Sequence, residues 1–292
     1  PMFPLAGVKE MKVMFSGVMN FRWAGTVAAS LILSILAVSP ALAVPEGEEE
    51  SWTSNLKDLY FEGVTIEDGA ELISMETPYR AMDPAIVPLV VKFAKPQAPD
   101  NYIKKVTLII DENPAPVGGV FHLTPETGDA SLTTRVRINE YTYVRVIAET
   151  SDGKHYMVKR FVKASGGCAA PGLKDRETAM ARLGKMKMKF VDAGVGNAPG
   201  AAQLMVSHPN YSGLQLDQVK GRMIPAYYVN SIVISRGDKE LMSIEGDISL
   251  SENPSVLFHF TGEGADELNA VVTDSEGGVF EKSWTIPPRV DG

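Results

Sequence analysis

The chain of 292 residues contains one cysteine, Cys168, and that scarcity excludes several classes of protein. No disulfide can form within the chain, so it is not a disulfide-stapled scaffold. No Cys-x-x-Cys-His run is present, which excludes covalent haem. Histidine is equally sparse. His122, His155, His208 and His259 stand far apart, with none of the spacings that metal sites use, and no metal or other cofactor is expected. A Gly-rich phosphate loop, a His-Glu-x-x-His motif and a Gly-x-Ser-x-Gly elbow are all missing. Basic residues are outnumbered, 28 Lys and Arg against 36 Asp and Glu, for a net charge of −8. Without a basic cluster, nucleic acid and anionic membrane are poor partners.

Only one long apolar run is present, and it lies near the N-terminus. Lys9, Lys12 and Arg22 precede an apolar stretch from Trp23 to Val38, followed by Ser39-Pro40-Ala41-Leu42-Ala43. That order describes a secretory signal peptide, residues 1–43, cleaved after Ala43. A retained anchor is the alternative, but the stretch is shorter than the ~20 residues a spanning helix needs. Met11-Lys12 would open a conventional signal, so residues before Met11 read as an over-extended start. Loss of residues 1–43 removes three basic residues and one acidic one and takes the net charge to −10. Export sharpens the meaning of Cys168. In an oxidising compartment structural cysteines come in pairs, so an unpaired one implies an intermolecular disulfide or a free, reactive thiol.

Residues 44–63 are acidic, with a short helix expected from Ser54 to Phe61, capped by Ser54 or Asn55. From about Val64 the pattern is β. Ile86–Phe93 carries Pro88, which suits an edge strand or a strand start. Lys105–Ile110 and Val120–Leu123 follow. In Thr133–Ile138, Arg135 and Arg137 alternate with Val136 and Ile138, predicting one wet and one dry face. Tyr141–Glu149 and His155–Lys163 flank Ser151-Asp152-Gly153, a hairpin signal. Residues 172–184 break the pattern as a short linker helix closed by Gly184. Lys185-Met186-Lys187-Met188-Lys189-Phe190 alternates as a strand with a solvated lysine face, the methionines turned inward. Further strands are expected at Gln203–Ser207, Ser231–Ser235, Glu240–Ile244, Val256–Phe260, Leu268–Thr273 and Val279–Ile286. The reading is all-β: two immunoglobulin-like β-sandwich domains, 64–171 and 185–292, joined by the helical linker.

The last strand of the first half runs into Ala164-Ser165-Gly166-Gly167-Cys168-Ala169-Ala170-Pro171. Two glycines before the thiol and Ala-Ala-Pro after it offer no packed flank. The expectation is an exposed Cys168 on a flexible arm of Ser165, Gly166, Gly167 and Ala169, with a buried, inert cysteine as the alternative. No histidine stands at a spacing that would activate this thiol, so a cysteine-nucleophile enzyme is the weaker reading. His208, in Ser207-His208-Pro209-Asn210, closes a strand at a turn and is expected to organise that turn by a hydrogen bond. His122 and His259 read as structural.

Several short motifs, in order, carry a resemblance. Val87-Pro88-Leu89-Val90-Val91, Asn113-Pro114-Ala115-Pro116, Thr134-Arg135-Val136-Arg137-Ile138, Ser151-Asp152-Gly153 and Gly166-Gly167-Cys168 resemble the SoxY-type subunit of periplasmic sulfur-compound carriers. His208-Pro209-Asn210-Tyr211-Ser212-Gly213, Ile224-Pro225-Ala226-Tyr227-Tyr228-Val229, Ser251-Glu252-Asn253-Pro254 and Phe258-His259-Phe260 resemble its SoxZ-type partner. The arrangement is similar to the fused SoxYZ-like carriers associated with quinoprotein dehydrogenases. The resemblance implies a periplasmic carrier rather than an enzyme, with Cys168 as the covalent attachment point for intermediates of sulfur or thiosulfate oxidation and Gly166 and Gly167 as the hinge. It implies Sox-type enzymes or a PQQ-dependent quinoprotein alcohol dehydrogenase and its cytochrome as partners. The competing expectation is a non-covalent binding or assembly module for such a dehydrogenase. In the two-chain carriers the cysteine is followed by Gly-Gly and the chain ends. Here Ala169-Ala170-Pro171 follow and the chain continues, so the arm is tethered at both ends and stiffened by Pro171.

Overall fold

The computed structural model describes residues 49–172, 176–194, 198–261 and 266–288. The expected signal peptide and most of the acidic stretch lie outside the described residues. A helical segment opens the described chain, with a π-type turn at Trp52–Leu56 and the helix α1 at Lys57–Phe61. It begins earlier than expected. Ser54 does not cap it but donates from its hydroxyl to Glu50 O, one turn back inside the helix.

The strands then follow in order. The first half holds β1 (Ile66–Asp68), β2 (Ile73–Glu76), β3 (Val87–Phe93), β4 (Ile103–Ile110), β5 (Val117–Leu123), β6 (Leu132–Val136), β7 (Thr142–Thr150) and β8 (His155–Val162). The short helix α2 (Arg176–Met180) comes next, within the expected linker. The second half holds β9 (Met186–Asp192), β10 (Gly200–Val206), β11 (Leu216–Asp217), β12 (Arg222–Met223), β13 (Val229–Arg236), β14 (Lys239–Glu245), β15 (Ser255–Phe260), β16 (Glu267–Asp274) and β17 (Val279–Thr285). Pro88, second in β3, marks a strand start and not a sheet edge, since β3 pairs on both sides, with β2 and β6.

The all-β expectation holds, and the two halves share their sheets. One nine-stranded sheet runs β1-β8-β7-β4-β5-β14-β13-β16-β17, and one six-stranded sheet runs β2-β3-β6-β15-β10-β9. The junctions are antiparallel. In the larger sheet Phe121 lies opposite Ile244 and Leu123 opposite Met242. In the smaller, Leu257 lies opposite Thr133, and Val136 bridges to Leu250. A strand edge left open on either half would be a template for aggregation, and each half covers the other's. The core is correspondingly undivided: Val87, Leu108, Phe121, Met242, Phe258 and Val272 belong to one buried cluster. The lysine strand behaves as its alternation predicts. β9 forms an edge, with Lys187 and Lys189 exposed and Met186 and Met188 buried.

A second cluster seats the N-terminal helix on the outer face of the larger sheet. Trp52, Leu56 and Phe61 pack on Ile109 and Ile147. Beneath them Arg145 is wholly buried, forked onto Asp111 through Nε to Oδ1 at 2.9 Å and Nη2 to Oδ2 at 2.7 Å, with Trp52 4.5 Å above its guanidinium. Removing Arg145 alone would strand the Asp111 carboxylate, at a cost of about 3–5 kcal/mol.

Because both sheets cross the junction, the halves should unfold as one unit. In the chain cleaved after Ala43 the tryptophans are Trp52 in the first half and Trp284 in the second. Urea titrations of the Trp52→Phe and Trp284→Phe variants, each followed by the remaining tryptophan, should give the same midpoint. Two separated midpoints would show that the halves are independent.

Candidate functional site

The arm begins where β8 ends. Lys163 N donates to Tyr79 O (2.7 Å) and Ala81 N to Lys163 O (3.2 Å), which fixes the strand's exit. Beyond it the chain folds back onto the first half. The Gly166 and Gly167 amides donate to Asn139 O (2.7 Å) and Ile138 O (2.9 Å), and Ala169 N closes a turn on Gly166 O (3.2 Å). Gly166 has φ +80° with open space around it, a left-handed turn residue. Gly167 serves a different purpose. A Cβ there would stand 2.1 Å from Pro84 O and 2.5 Å from Ile138 O, so only glycine lets the arm lie this close to the backbone beneath it.

The second half covers the arm from the other side. Ser212 Oγ donates to Cys168 O, and Gln215 Nε2 donates to Ala170 O at 2.9 Å. Ser165 and Ala169 face solvent, while Cys168 is 0 % exposed. The expected exposed thiol is therefore corrected. Two glycines before the thiol signalled freedom, but Gly167 is small in order to pack, and residues more than forty positions away form the lid. Burial pushes the Cys168 thiol up to about 11, opposed by the positive charge of Arg137. In this state the sulfur is a neutral, shielded thiol.

Arg137 is the second correction. The alternation of Thr133–Ile138 placed it on a wet face, yet it is 0 % exposed, because the strand ends at Val136 and the arm and the second half close over it. Its Nη1 donates to Gly167 O at 3.1 Å and its Nη2 to Asn210 O at 3.2 Å, so one guanidinium joins the arm to the second half. Desolvation lowers the Arg137 pKa, against the fields of Glu252, Cys168 and Asp83.

Asn210 sits on the turn that His208 organises, as its sequence position suggested. Asn210 N donates to His208 Nδ1 at 3.1 Å, and the φ of Asn210 is +44°. Burial lowers the His208 pKa, so the ring is neutral. Its Nε2 faces Asp274 Oδ2 at 3.7 Å, while that carboxylate accepts from Tyr227 OH at 2.9 Å and from the Gly278 amide at 2.8 Å. A cavity of about 20 Å³ beside His208, Tyr211, Arg182 and Gly172 has room for about one water. His259 Nδ1 donates to Ser131 O (3.0 Å), and His122 pairs on the surface with Glu245 (2.7 Å). Among the described residues no three His, Cys, Asp or Glu side chains are grouped to hold a metal.

Sequence reasoning missed Ser212, Gln215 and the hairpin β11–β12 that follows them. Leu216, Val219 and Met223 of that hairpin are exposed, and Leu216 and Val219 line, with Met180, an open concavity of about 860 Å³ that reaches Pro171 and Gly172. The run Leu214–Met223 alternates weakly and has no turn dipeptide, so its two-residue strands gave no signal.

Among the described residues the site is one sequestered thiol on a doubly tethered loop. The family models make the assignment. Residues 57–168 match "Sulfur oxidation protein SoxY", a span that ends on Cys168, and residues 188–285 match "Sulphur oxidation protein SoxZ". The two spans together cover most of the chain, which carries a SoxY domain and a SoxZ domain in tandem. Proteins of these families are sulfur carriers and adaptors, not enzymes. None of the curated proteins matches the chain. Among solved structures, the sulfur carrier protein SoxY from Chlorobium limicola f thiosulfatophilum is similar at 21% identity, covering 37% of this chain and 87% of its own, with a TM-score of 0.31. A superoxide reductase (neelaredoxin) from Ignicoccus hospitalis is similar at 13% identity over 32% of this chain and 79% of its own, with a TM-score of 0.29.

The raised thiol pKa has a consequence for stability. The folded state holds the Cys168 proton to about pH 11, whereas an unfolded chain releases it near the ordinary value of 9.0. The unfolded state thus binds fewer protons between those values, and stability falls as pH rises through that window, by about 2–3 kcal/mol in all. The difference in urea stability between the wild type and Cys168→Ala should be constant below pH 8 and shrink from pH 9 to 11. A pH-independent difference would mean that the thiol titrates normally.

Proposed function

We propose that this protein is a sulfur-oxidation carrier of the periplasm, exported by residues 1–43, which holds a sulfur intermediate on Cys168 and presents it to partner oxidoreductases. The observation that carries this reading is the tandem of SoxY and SoxZ domains with the first span ending on the chain's one cysteine. Loading with thiosulfate would form one S–S bond between Cys168 Sγ and the terminal sulfur. The thiol proton is released, and two electrons pass to the partner oxidoreductase, leaving an anionic S-thiosulfonate, Cys168 Sγ–S–SO3−. The same resemblance extends the partners to a quinoprotein dehydrogenase and its cytochrome.

The closed arm sets a condition on this chemistry. Five hydrogen bonds hold residues 166–170 down: two from the Gly166 and Gly167 amides, and one each from Arg137, Ser212 and Gln215. At about 1 kcal/mol each, the open arm is populated roughly once in several thousand molecules. A partner that binds only the open form supplies the remainder by mass action. The exposed apolar surface of Leu216 and Val219 beside Pro171 gives such a partner a place to dock. Tethering at both ends suits a bulge into a shallow cleft.

Burial of Cys168 favours a second reading, a non-covalent assembly module whose thiol is a packed side chain. Intact mass of the protein purified from its native host grown on reduced sulfur compounds, before and after reduction, separates the two. The carrier reading expects a reducible adduct mapping to Cys168, and a Cys168→Ser host impaired in the corresponding oxidation. A bare thiol on every sulfur substrate and an unimpaired Cys168→Ser host would leave the assembly module.

A further inference from the structure

Arg137 is a fully buried cation whose direct partners are carbonyls. Its guanidinium donates to Gly167 O and Asn210 O, while Nε has no hydrogen-bond partner. The carboxylates whose fields reach it are Glu252 and Asp83. A buried guanidinium held by neutral acceptors is costly, and an anion beside it would be strongly favoured. The arm places the cargo-bearing residue next to the carbonyl that Arg137 holds. Gly167, which Arg137 holds, immediately precedes Cys168, and Cys168 itself contributes to the field at Arg137.

The closed arm has no exposure at the sulfur, so an adduct of several atoms requires the arm to lift. Lifting carries away the Gly167 carbonyl. Nη1 then joins Nε as an unsatisfied donor, in the groove that the arm has just left, while Nη2 stays anchored on Asn210 O. We propose that Arg137 is the docking residue for the anionic end of the group carried on Cys168, exchanging the Gly167 carbonyl of the empty arm for a sulfonate or persulfide anion of the loaded one. This rests on the carrier reading above and adds a selection rule to it: the protein holds negatively charged sulfur cargo more firmly than neutral or positive cargo. A carbonyl-to-anion exchange turns a bond from the charged guanidinium to a neutral acceptor into a hydrogen-bonded ion pair, worth about tenfold in equilibrium.

The test is thiol–disulfide exchange at equilibrium on the full chain, against bis(2-sulfonatoethyl) disulfide and against cystamine. In each case the Cys168 thiolate attacks one reagent sulfur, a mixed disulfide forms, the reagent's own S–S bond breaks and one small thiolate leaves. No net electrons are exchanged. The ratio of the two equilibrium constants, sulfonate over ammonium, is measured for folded protein and divided by the same ratio in urea, where Arg137 has no fixed position. An effect of arm looseness alone cancels from this quotient, since it acts on both reagents equally. The expected quotient is about ten in the wild type, close to that in Arg137→Lys, and about one in Arg137→Gln. It is expected above one although the acidic chain as a whole repels the sulfonate. A wild-type quotient of one or less overturns the proposal, whether or not Arg137→Gln folds, and so does a quotient that Arg137→Gln leaves unchanged. Because the cargo is loaded chemically, the outcome is independent of the search for a native adduct. A missing native adduct would sink the carrier reading and leave this quotient as it is.

Discussion

Two antiparallel junctions, β5 with β14 and β6 with β15, fix the register of one half of the molecule on the other, and the position of the arm follows from them. A chain that leaves β8 at Val162 and re-enters a sheet at Met186 must cross from the first half to the second. Since the halves are locked, the crossing segment lies in a groove with walls from both. Pro84, Ile138 and Arg137 form one wall, and Asn210, Ser212 and Gln215 form the other. Fusing two carrier domains into one chain has thus produced a thiol that is sheltered by default.

Shelter and service pull in opposite directions. A thiol at about pKa 11 is slow to ionise and slow to react, which protects it from adventitious oxidation. A carrier must nevertheless offer its sulfur to other proteins. The arm reconciles the two through its own bonds. Each is a single hydrogen bond to or from the backbone, one of them from the Arg137 guanidinium, with no apolar anchor other than Cys168 itself, so the segment belongs to the part of the structure that opens most readily. The sheets on either side can remain intact while it does.

Much of the fold was legible in the sequence, and the reasons are physical. Alternation in Lys185–Phe190 announced a solvated edge strand, and Ser151-Asp152-Gly153 announced the β7–β8 hairpin, with Gly153 at φ +83° as that turn requires. The hydrogen bond of His208 to its own turn followed from a histidine at a strand end before Pro-Asn. What the sequence concealed depends on long-range closure. Periodicity assigns faces within a strand but is silent on what covers them, so Arg137 read as wet and proved to be the most enclosed cation beside the site. Gly-Gly before Cys168 read as a hinge. One glycine is a turn residue, and the other is small because two carbonyls stand where its side chain would be. Ser212 and Gln215 carry no local signal, since their role exists only once the halves have met.

The account rests on the arm having two states, closed over a bare thiol and open when loaded. Amide hydrogen exchange at Gly166 and Gly167, read by NMR on protein with a free Cys168 and on protein bearing a chemically installed S-sulfonate, tests that most directly. The account predicts strong protection in the free form, where the two amides bond Asn139 O and Ile138 O, and its loss in the loaded form while the amides of β4 and β7 stay protected. Equal protection at both glycines in the two forms would contradict it.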